Sequence, residues 1–265
     1  MPKAQLKNFK MSYYDNGNSD VPLILIHGFP LDKRMWELQI EKFLWHTRVI
    51  TPDLRGHGES ETGSGPWTIE SYADDIIEFT NTMNIEKFSL GGFSMGGYVA
   101  MALMKKYPAK VTSLLLLHTK NEADSDEVRT GREDLAKLAE NSGAEPIAER
   151  LIPRLLTSDS LETRADLVDR VERMITQCSI EGIAGDLRAM ALREDSTATL
   201  KNTKIPTLIV SADNDAVIPP SESQKINEII DGSQIHIING PSHMSNLEKS
   251  DEFNNIVLNF INQQK

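Results

Sequence analysis

The chain has 265 residues, of which 39% are hydrophobic and 25% charged, and its formal net charge at pH 7 is −11. This composition can bury a substantial core and excludes an intrinsically disordered chain. The acidic balance disfavours nucleic acid as a partner, because the phosphate backbone would be repelled. It also disfavours a highly anionic substrate, unless the binding pocket carries its own positive charge.

Two features bear on the cellular compartment. Cys178 is the only cysteine, which excludes an internal disulfide and is typical of a reducing compartment. Residues 1–14 are polar and lack the apolar segment of a signal peptide, and no run of about 18 apolar residues follows anywhere. We therefore expect a cytoplasmic protein that has no membrane partner.

Short apolar segments alternate with amphipathic segments along most of the chain, which is typical of βαβ units and a mostly parallel sheet. Weak strand patterns predict an N-terminal hairpin over 5–9 and 11–14, and the apolar run 22–26 predicts a strand covered on both faces. Further strands are predicted at 48–51, 87–90, 111–117, 206–211 and 234–238. Helices are predicted at 35–44, 69–83, 95–107, 221–230 and 246–261.

This alternation stops between residues 119 and 201. The segment has several amphipathic helix patterns and no convincing strand; Leu167, Val171 and Met174, for example, are spaced to form one buried stripe. The sequence therefore predicts an α/β core, residues 1–118 and 202–265, with helices on both faces of the sheet. Residues 119–201 are predicted as an inserted helical cap, although ordinary packing helices are an alternative.

A glycine-rich segment, Gly92-Phe93-Ser94-Met95-Gly96-Gly97, connects a predicted strand directly to a predicted helix. The G-x-S-x-G spacing places small residues on both sides of a serine in a strained turn, and the helix N-terminus then directs N–H groups towards that serine. A phosphate-binding loop is disfavoured, because the segment lacks the residue order of a P-loop or dinucleotide fold. A purely structural turn is the other alternative. We predict that Ser94 is a nucleophile.

Such a serine requires a general base and an acid, which follow in the order serine, acid, histidine. Asp215 follows the strand 206–211, and His243 follows the last predicted strand in a loop with glycine and proline. Both lie beyond the carboxyl ends of strands, as Ser94 does. Asp215 is favoured over Asp213 because it lies deeper in the turn, but Asp213 remains an alternative for the acid.

Two backbone N–H groups are predicted to stabilise the oxyanion of an acyl-transfer reaction. One belongs to Met95, the residue after the nucleophile. The other belongs to Phe29, because Pro30 restrains it to extended geometry and Gly28 allows the loop to approach the serine. His27, which precedes this loop, is interpreted as structural.

The remaining histidines supply one further candidate. His118 ends the strand 111–117 and is predicted to contact substrate. His57 lies in a glycine-rich turn, where a hydrogen-bonded structural role is expected. No histidine and cysteine residues are spaced as metal ligands, so no metal and no organic cofactor are expected.

Five segments resemble, in order, the motif set of the α/β-hydrolase superfamily. They are His27–Pro30, Asp53–Ser60, Gly92–Gly97, Asp215–Pro219 and Gly240–Met244. The resemblance spans the chain except for residues 119–201, and it is strongest to a small cofactor-free branch of carboxylesterases, oxoadipate enol-lactonases and haloperoxidase-type perhydrolases. Because residue 94 is serine and not aspartate, the haloalkane dehalogenases and epoxide hydrolases of this fold are disfavoured.

The resemblance and the motifs together imply a serine hydrolase that cleaves a small carboxylic ester or lactone through an acyl-enzyme. The predicted cap is rich in leucine, isoleucine and methionine, which favours an apolar lid over a polysaccharide-binding groove. An enol-lactonase acting on a carboxylated lactone would need a cation, for which Arg150, Arg154, Arg188 and Arg193 are available. Hydrolysis of a carbon–carbon bond would use the same triad. A small-ligand receptor with slow turnover is the alternative of another class.

Overall fold

The computed structural model describes residues 1–17 and 21–264. The strands in these residues are β1 (Lys3–Gln5), β2 (Lys10–Asp15), β3 (Leu23–Ile26), β4 (Val49–Pro52), β5 (Phe88–Phe93), β6 (Val111–Leu117), β7 (Thr207–Ala212) and β8 (Gln234–Ile238). They form one sheet in the order β1-β2-β4-β3-β5-β6-β7-β8. The pairs β1–β2 and β2–β4 are antiparallel and all other pairs are parallel, which confirms the predicted mostly parallel sheet.

The α-helices before residue 156 are α1 (Glu37–Phe43), α2 (Ile69–Thr82), α3 (Met95–Lys106), α4 (Asp126–Ser142) and α5 (Glu145–Leu155). Those that follow in the described residues are α6 (Ser158–Thr163), α7 (Ala165–Thr176), α8 (Ile180–Leu192), α9 (Thr197–Lys201), α10 (Pro220–Ile229), α11 (Ser245–Glu248) and α12 (Ser250–Asn262). None of the helices in the described residues is both long and apolar enough to cross a membrane.

The central strands are buried on both faces. All four residues of β3, Leu-Ile-Leu-Ile, are buried, and β6 ends in four buried leucines. Continuous apolar strands of this kind are needed because helices cover both faces of a parallel sheet. Since β5, β6, β7 and β8 are parallel neighbours, their carboxyl ends lie along the same edge of the sheet. The residues that follow these four strands are therefore brought together there.

Two predicted elements differ from the observed ones. The N-terminal hairpin exists, but its first strand is Lys3–Gln5 and not 5–9, because Leu6 and Phe9 form the buried turn between the two strands. The single helix predicted over 246–261 is interrupted at Lys249, whose φ of −131° and ψ of 51° lie outside the helical region. The five residues between Leu247 and Phe253 are all polar, so the apolar pattern does not report where the helix breaks.

Residues 119–201, hereafter the insertion, contain α4–α9 and no strand among the described residues. A fully buried polar cluster joins the insertion to the rest of the chain. His57 Nε2 lies 3.0 Å from a carboxylate oxygen of Asp186 on α8, and the hydroxyl of Tyr72 donates to the other oxygen.

Candidate active site

Ser94 lies at a sharp turn between β5 and α3. Its φ of 53° and ψ of −113° are unusual for a residue with a side chain, and such backbone strain costs on the order of 1–3 kcal/mol. The surrounding structure holds the turn, since the Ser94 N–H donates to the Leu117 carbonyl at 2.8 Å and the Thr119 hydroxyl donates to the Ser94 carbonyl at 2.9 Å. Ser94 is half-buried and lines a cavity.

The glycines of the motif are required by close packing. A Cβ atom on Gly92 would lie 2.1 Å from the Gly96 carbonyl oxygen, and a Cβ atom on Gly96 would lie 2.5 Å from the Ile26 carbonyl oxygen. Both contacts are with backbone atoms, which cannot move aside without displacing the strand or the helix. The steric reason predicted for the G-x-S-x-G spacing is therefore present in the structure.

Asp215 and His243 are joined by hydrogen bonds. His243 Nδ1 lies 2.8 Å and 3.0 Å from the two carboxylate oxygens of Asp215, and both side chains are buried. An ionised carboxylate only accepts, so His243 Nδ1 carries the proton of this contact and Nε2 is left for another partner. The ring of His243 also packs against Phe93, the residue before Ser94, with 5.0 Å between ring centroids. The structure thus brings all three predicted triad residues to one region.

Asp215 is held in its charged form. Its Oδ1 atom accepts hydrogen bonds from the backbone N–H groups of Val217 at 2.9 Å and Ile218 at 2.8 Å. Burial alone raises the pKa of Asp215, but the imidazoles of His243 and His118 outweigh burial and hold this pKa well below its ordinary value. By contrast, the carboxylate of Asp213 is exposed and accepts the N–H of Gly240 at 2.7 Å, as expected for a turn-stabilising residue.

His118 does not occupy the position predicted for it. It is fully buried and absent from the cavity lining, and its two ring nitrogens have protein partners: Nδ1 lies 2.8 Å from Asp215 Oδ2 and Nε2 lies 2.6 Å from Ser245 Oγ. The predicted substrate contact is therefore not supported. The contact between His118 and Asp215 was not predicted; it forms because β6 and β7 are parallel neighbours, whose carboxyl ends meet at the same edge of the sheet.

The same three side chains, His118, Asp215 and His243, have the composition of a metal site, with one potential ligand atom from each lying within 4.8 Å of the others. The spacing of these residues in the sequence did not predict such a cluster. Both histidines approach Asp215 at 2.8 Å, however, which is the distance of an N–H···O hydrogen bond. A zinc ion at about 2.0–2.1 Å from each ligand would hold the ligand atoms further apart.

The loop predicted to complete the oxyanion hole lies beside the nucleophile. A Cβ atom on Gly28 would lie 3.3 Å from the Ser94 Cβ atom, so the chain passes close to the serine here. Phe29 lines the same cavity as Ser94, and Met95 begins α3, where N–H groups have no acceptor within the helix. His27 is fully buried and accepts the Leu54 N–H at 2.9 Å; burial lowers the pKa of His27 to about 3, in accord with a structural role.

The cavity beside Ser94 has a volume of about 440 Å³. One part of its wall comes from Phe29, Tyr98, Val217 and Ile218, and the insertion supplies most of the rest. The apolar residues from the insertion are Val128, Leu135, Leu151, Leu155, Leu187 and Met190. A volume of this size accommodates a small organic molecule.

The cavity wall is also charged, and of the four arginines considered from the sequence only Arg154 is among the residues described as lining it. Three cations, Lys120, Arg132 and Arg154, and one anion, Asp124, line it, so the lining carries an excess of two positive charges although the whole chain carries −11. Asp124 pairs with Lys120 at 3.2 Å and with Arg132 at 2.5 Å. The guanidinium of Arg154 instead donates to the carbonyl of Ala216 at 3.1 Å.

Comparisons with known proteins agree on one family. A family model described as the α/β hydrolase fold matches residues 21–250. 3-Oxoadipate enol-lactonase 2 of Acinetobacter baylyi is 29% identical over 248 residues, which are 93% of this chain and 91% of the relative. A malate-bound thermophilic esterase from Thermogutta terrifontis is 33% identical, with a TM-score of 0.94 over 99% of this chain and 98% of that one. The enol-lactonase of Burkholderia xenovorans LB400 is 27% identical, with a TM-score of 0.91 over 98% of this chain and 100% of that one.

Proposed function

Because the chain belongs to the α/β-hydrolase family, we propose that it is a serine hydrolase of small carboxylic esters or lactones, with Ser94, His243 and Asp215 as its triad. The observation that carries this proposal is the buried hydrogen bond between His243 and Asp215, beside the strained turn that presents Ser94 to a cavity. The esterase and enol-lactonase names of the similar proteins support the same class of reaction.

In the proposed mechanism Ser94 Oγ attacks the carbonyl carbon while His243 Nε2 accepts its proton. Asp215 fixes the tautomer of His243 and stabilises the imidazolium. The N–H groups of Phe29 and Met95 donate to the oxyanion, and His243 then returns the proton to the leaving alcohol. A water molecule, deprotonated by His243, attacks the acyl-enzyme; the bond to Ser94 Oγ then breaks, His243 returns the proton to that oxygen, and the acid is released. None of these steps requires a metal or an organic cofactor.

In this proposal the insertion is the cap of the active site. Its apolar side chains provide most of the contact area for the substrate, and its position over Ser94 restricts access of water. Exchange of the insertion helices would therefore change which substrates are cleaved without changing the triad.

A carboxylated lactone or ester is a second candidate substrate, and the positive excess of the cavity wall favours it. Arg154 is the cation best placed to bind such a carboxylate, since Lys120 and Arg132 already contact Asp124. Of the other arginines considered above, Arg188 pairs with Glu133 and Glu140, and the buried Arg193 pairs with Asp124. The enol-lactonase and malate-bound esterase names of the relatives are consistent with a carboxylate in the site.

The first test is hydrolysis of p-nitrophenyl esters of increasing acyl length by wild type and Ser94→Ala, followed by neutral and carboxylated lactones. The proposal expects many turnovers by wild type and background rates for the variant. A single stoichiometric acylation without turnover would instead indicate the slow receptor of the alternative class. If no ester or lactone is cleaved, the next substrate class to test is a diketone that is hydrolysed at a carbon–carbon bond.

A further inference from the structure

We propose that His118 is a positioning residue for the catalytic acid: it holds the Asp215 carboxylate by a hydrogen bond from Nδ1 and thereby tunes how strongly Asp215 binds His243. This inference rests on the proposed function, because it adds His118 and its hydrogen-bond partner Ser245 to the proposed triad. Nothing in the resemblance to hydrolases assigns such a role to the residue after β6.

The contact distances support this chain. His118 Nδ1 and His243 Nδ1 both lie 2.8 Å from the same oxygen, Asp215 Oδ2. The Asp215 carboxylate accepts only, so His118 Nδ1 must carry a proton. Burial lowers the pKa of His118, in accord with a neutral ring whose Nε2 accepts a hydrogen bond from the Ser245 hydroxyl at 2.6 Å. Ser245 therefore donates to His118, and His118 and His243 both donate to Asp215.

The backbone indicates that this arrangement is imposed on His118. Its φ is 50°, in the left-handed region that side chains other than those of asparagine, aspartate and histidine seldom adopt. Its N–H donates to the Val210 carbonyl at 2.8 Å, which holds the residue against β7. The ring of Phe93 lies against both His118 and His243, with centroids 5.1 Å and 5.0 Å away. Both imidazoles are thus fixed relative to the residue that precedes Ser94.

The expected consequence follows from competition for one oxygen. A carboxylate oxygen that accepts hydrogen bonds from two imidazole N–H groups binds each of them more weakly than it would bind one alone. Without His118, Asp215 would stabilise the imidazolium of His243 more strongly and be oriented less firmly. Activity on the acidic side of the pH profile would then begin at higher pH, and kcat would fall.

Two variants distinguish the effect of the hydrogen bond between His118 and Asp215 from the effect of side-chain packing at position 118. His118→Asn keeps a side chain that tolerates positive φ, and its amide N–H replaces the donor to Asp215. His118→Gly tolerates the same φ without strain but has no donor. His57→Asn is the matched control, because His57 is equally buried and paired with an aspartate, Asp186, but does not contact Asp215.

The measurement is kcat and KM on a p-nitrophenyl ester as a function of pH, for wild type and the three variants. We expect His118→Gly to lose about tenfold in kcat with little change in KM, and its acidic midpoint to rise by about 0.5–1 pH unit. His118→Asn should have a kcat and an acidic midpoint close to those of wild type, and His57→Asn should keep the wild-type midpoint. The other charged groups near the chain, Glu248 and Arg154, are present in every variant, so they do not produce the difference.

Three outcomes would overturn the inference. If His118→Gly has the wild-type kcat and midpoint, the hydrogen bond plays no part. If His118→Gly and His118→Asn lose the same activity with no shift of midpoint, His118 only packs. If wild type does not turn over esters or lactones, the proposed function fails and this inference fails with it. In the first two outcomes wild type remains active, so the proposed function stands.

A measurement on wild type alone covers the case in which neither variant folds. Nitrogen-15 spectra of the protein labelled at its six histidines report which nitrogen of each ring carries the proton. The inference expects His118 to be neutral, with the proton on Nδ1 and none on Nε2. A proton on Nε2 of the neutral ring would overturn it.

Discussion

The hydroxyl of Thr119 donates a hydrogen bond of 2.9 Å to the main-chain carbonyl of Ser94. A Cβ atom on Gly97 would lie 2.5 Å from the same hydroxyl oxygen. Thr119, the first residue of the insertion, therefore supports the turn that presents the nucleophile. Its side chain fits against the start of α3 because residue 97 is glycine. Backbone strain at Ser94 persists because contacts of this kind surround the turn.

Replacing Thr119 by valine should weaken that support. Thr119→Val keeps the shape of the side chain but removes the hydrogen bond, so we expect a loss of about 0.5–1.5 kcal/mol of stability, a melting temperature lower by about 2–4 °C and a reduced kcat. Thermal unfolding and ester kinetics measure these effects. Thr112→Val, at the amino-terminal end of β6, is the control: its half-buried hydroxyl contacts Ser89 and not Ser94, so kcat should be unchanged.

Asparagine at position 215 should remove most of the activity. Asp215→Asn presents a donor where a carboxylate accepted, so His243 is held in the wrong tautomer, and the loss of kcat in a serine triad is about 10⁴-fold. Asp213→Asn is the matched control, because its exposed carboxylate contacts Gly240 and not a histidine. A comparable loss in Asp213→Asn would assign the acid to Asp213 instead.

Arg154 should discriminate between charged and neutral substrates. If it binds a substrate carboxylate, Arg154→Ala will lower kcat/KM for a carboxylated lactone about 10- to 100-fold, while a neutral lactone of similar size loses little. Arg150→Ala, one turn earlier on α5, exposed and absent from the cavity lining, controls for the loss of positive charge. Equal losses on both lactones would argue against a carboxylate contact.

The buried pair His57–Asp186 should make stability depend on pH. Burial alone lowers the pKa of His57, but Cys178 and Asp186 outweigh burial and hold this pKa well above its ordinary value. The charged pair thus contributes fully below about pH 6.5, the ordinary histidine value, and its contribution is lost as pH rises through the raised pKa.

His57→Gln should accordingly be less stable than wild type by about 3 kcal/mol at pH 6, because Asp186 keeps the hydrogen bond from Tyr72 but loses its charged partner. This difference should narrow as pH rises. Chemical denaturation of both proteins from pH 6 to alkaline pH measures the difference in free energy of unfolding. The other titrating groups are the same in both proteins, so their contributions cancel in this difference. A difference that stays constant with pH would show that His57 is not charged in the folded protein.

Removal of metal should leave the activity intact. The two nitrogen atoms that approach Asp215 do so at hydrogen-bond distances, so the cluster of His118, Asp215 and His243 requires no ion. Ester hydrolysis should be unchanged after dialysis against EDTA. A loss that added zinc restores would instead make this cluster a metal site.

Local features of the site were predictable from the sequence because their causes are local. The glycines at 92 and 96 are dictated by the approach of β5 and α3, which adjoin in the chain. The positions of Ser94, Asp215 and His243 after strands followed from the alternation of apolar and amphipathic segments. Hydrophobic periodicity also indicated a helical insertion between β6 and β7, although it missed the break at Lys249.

Side-chain partners were decided only by the tertiary structure. His118 and Asp215 are 97 residues apart, and their contact depends on the register of β6 on β7 and on a positive φ at His118, neither of which apolar patterning reports. The charge of the cavity wall likewise depends on which helix faces point inward: Arg154 lines the cavity, whereas Arg188 pairs with two glutamates elsewhere on the insertion. The order of motifs therefore indicated a hydrolase triad, but non-local packing determined what surrounds it, because hydrogen bonds and charge pairs form between surfaces that meet only in the folded chain.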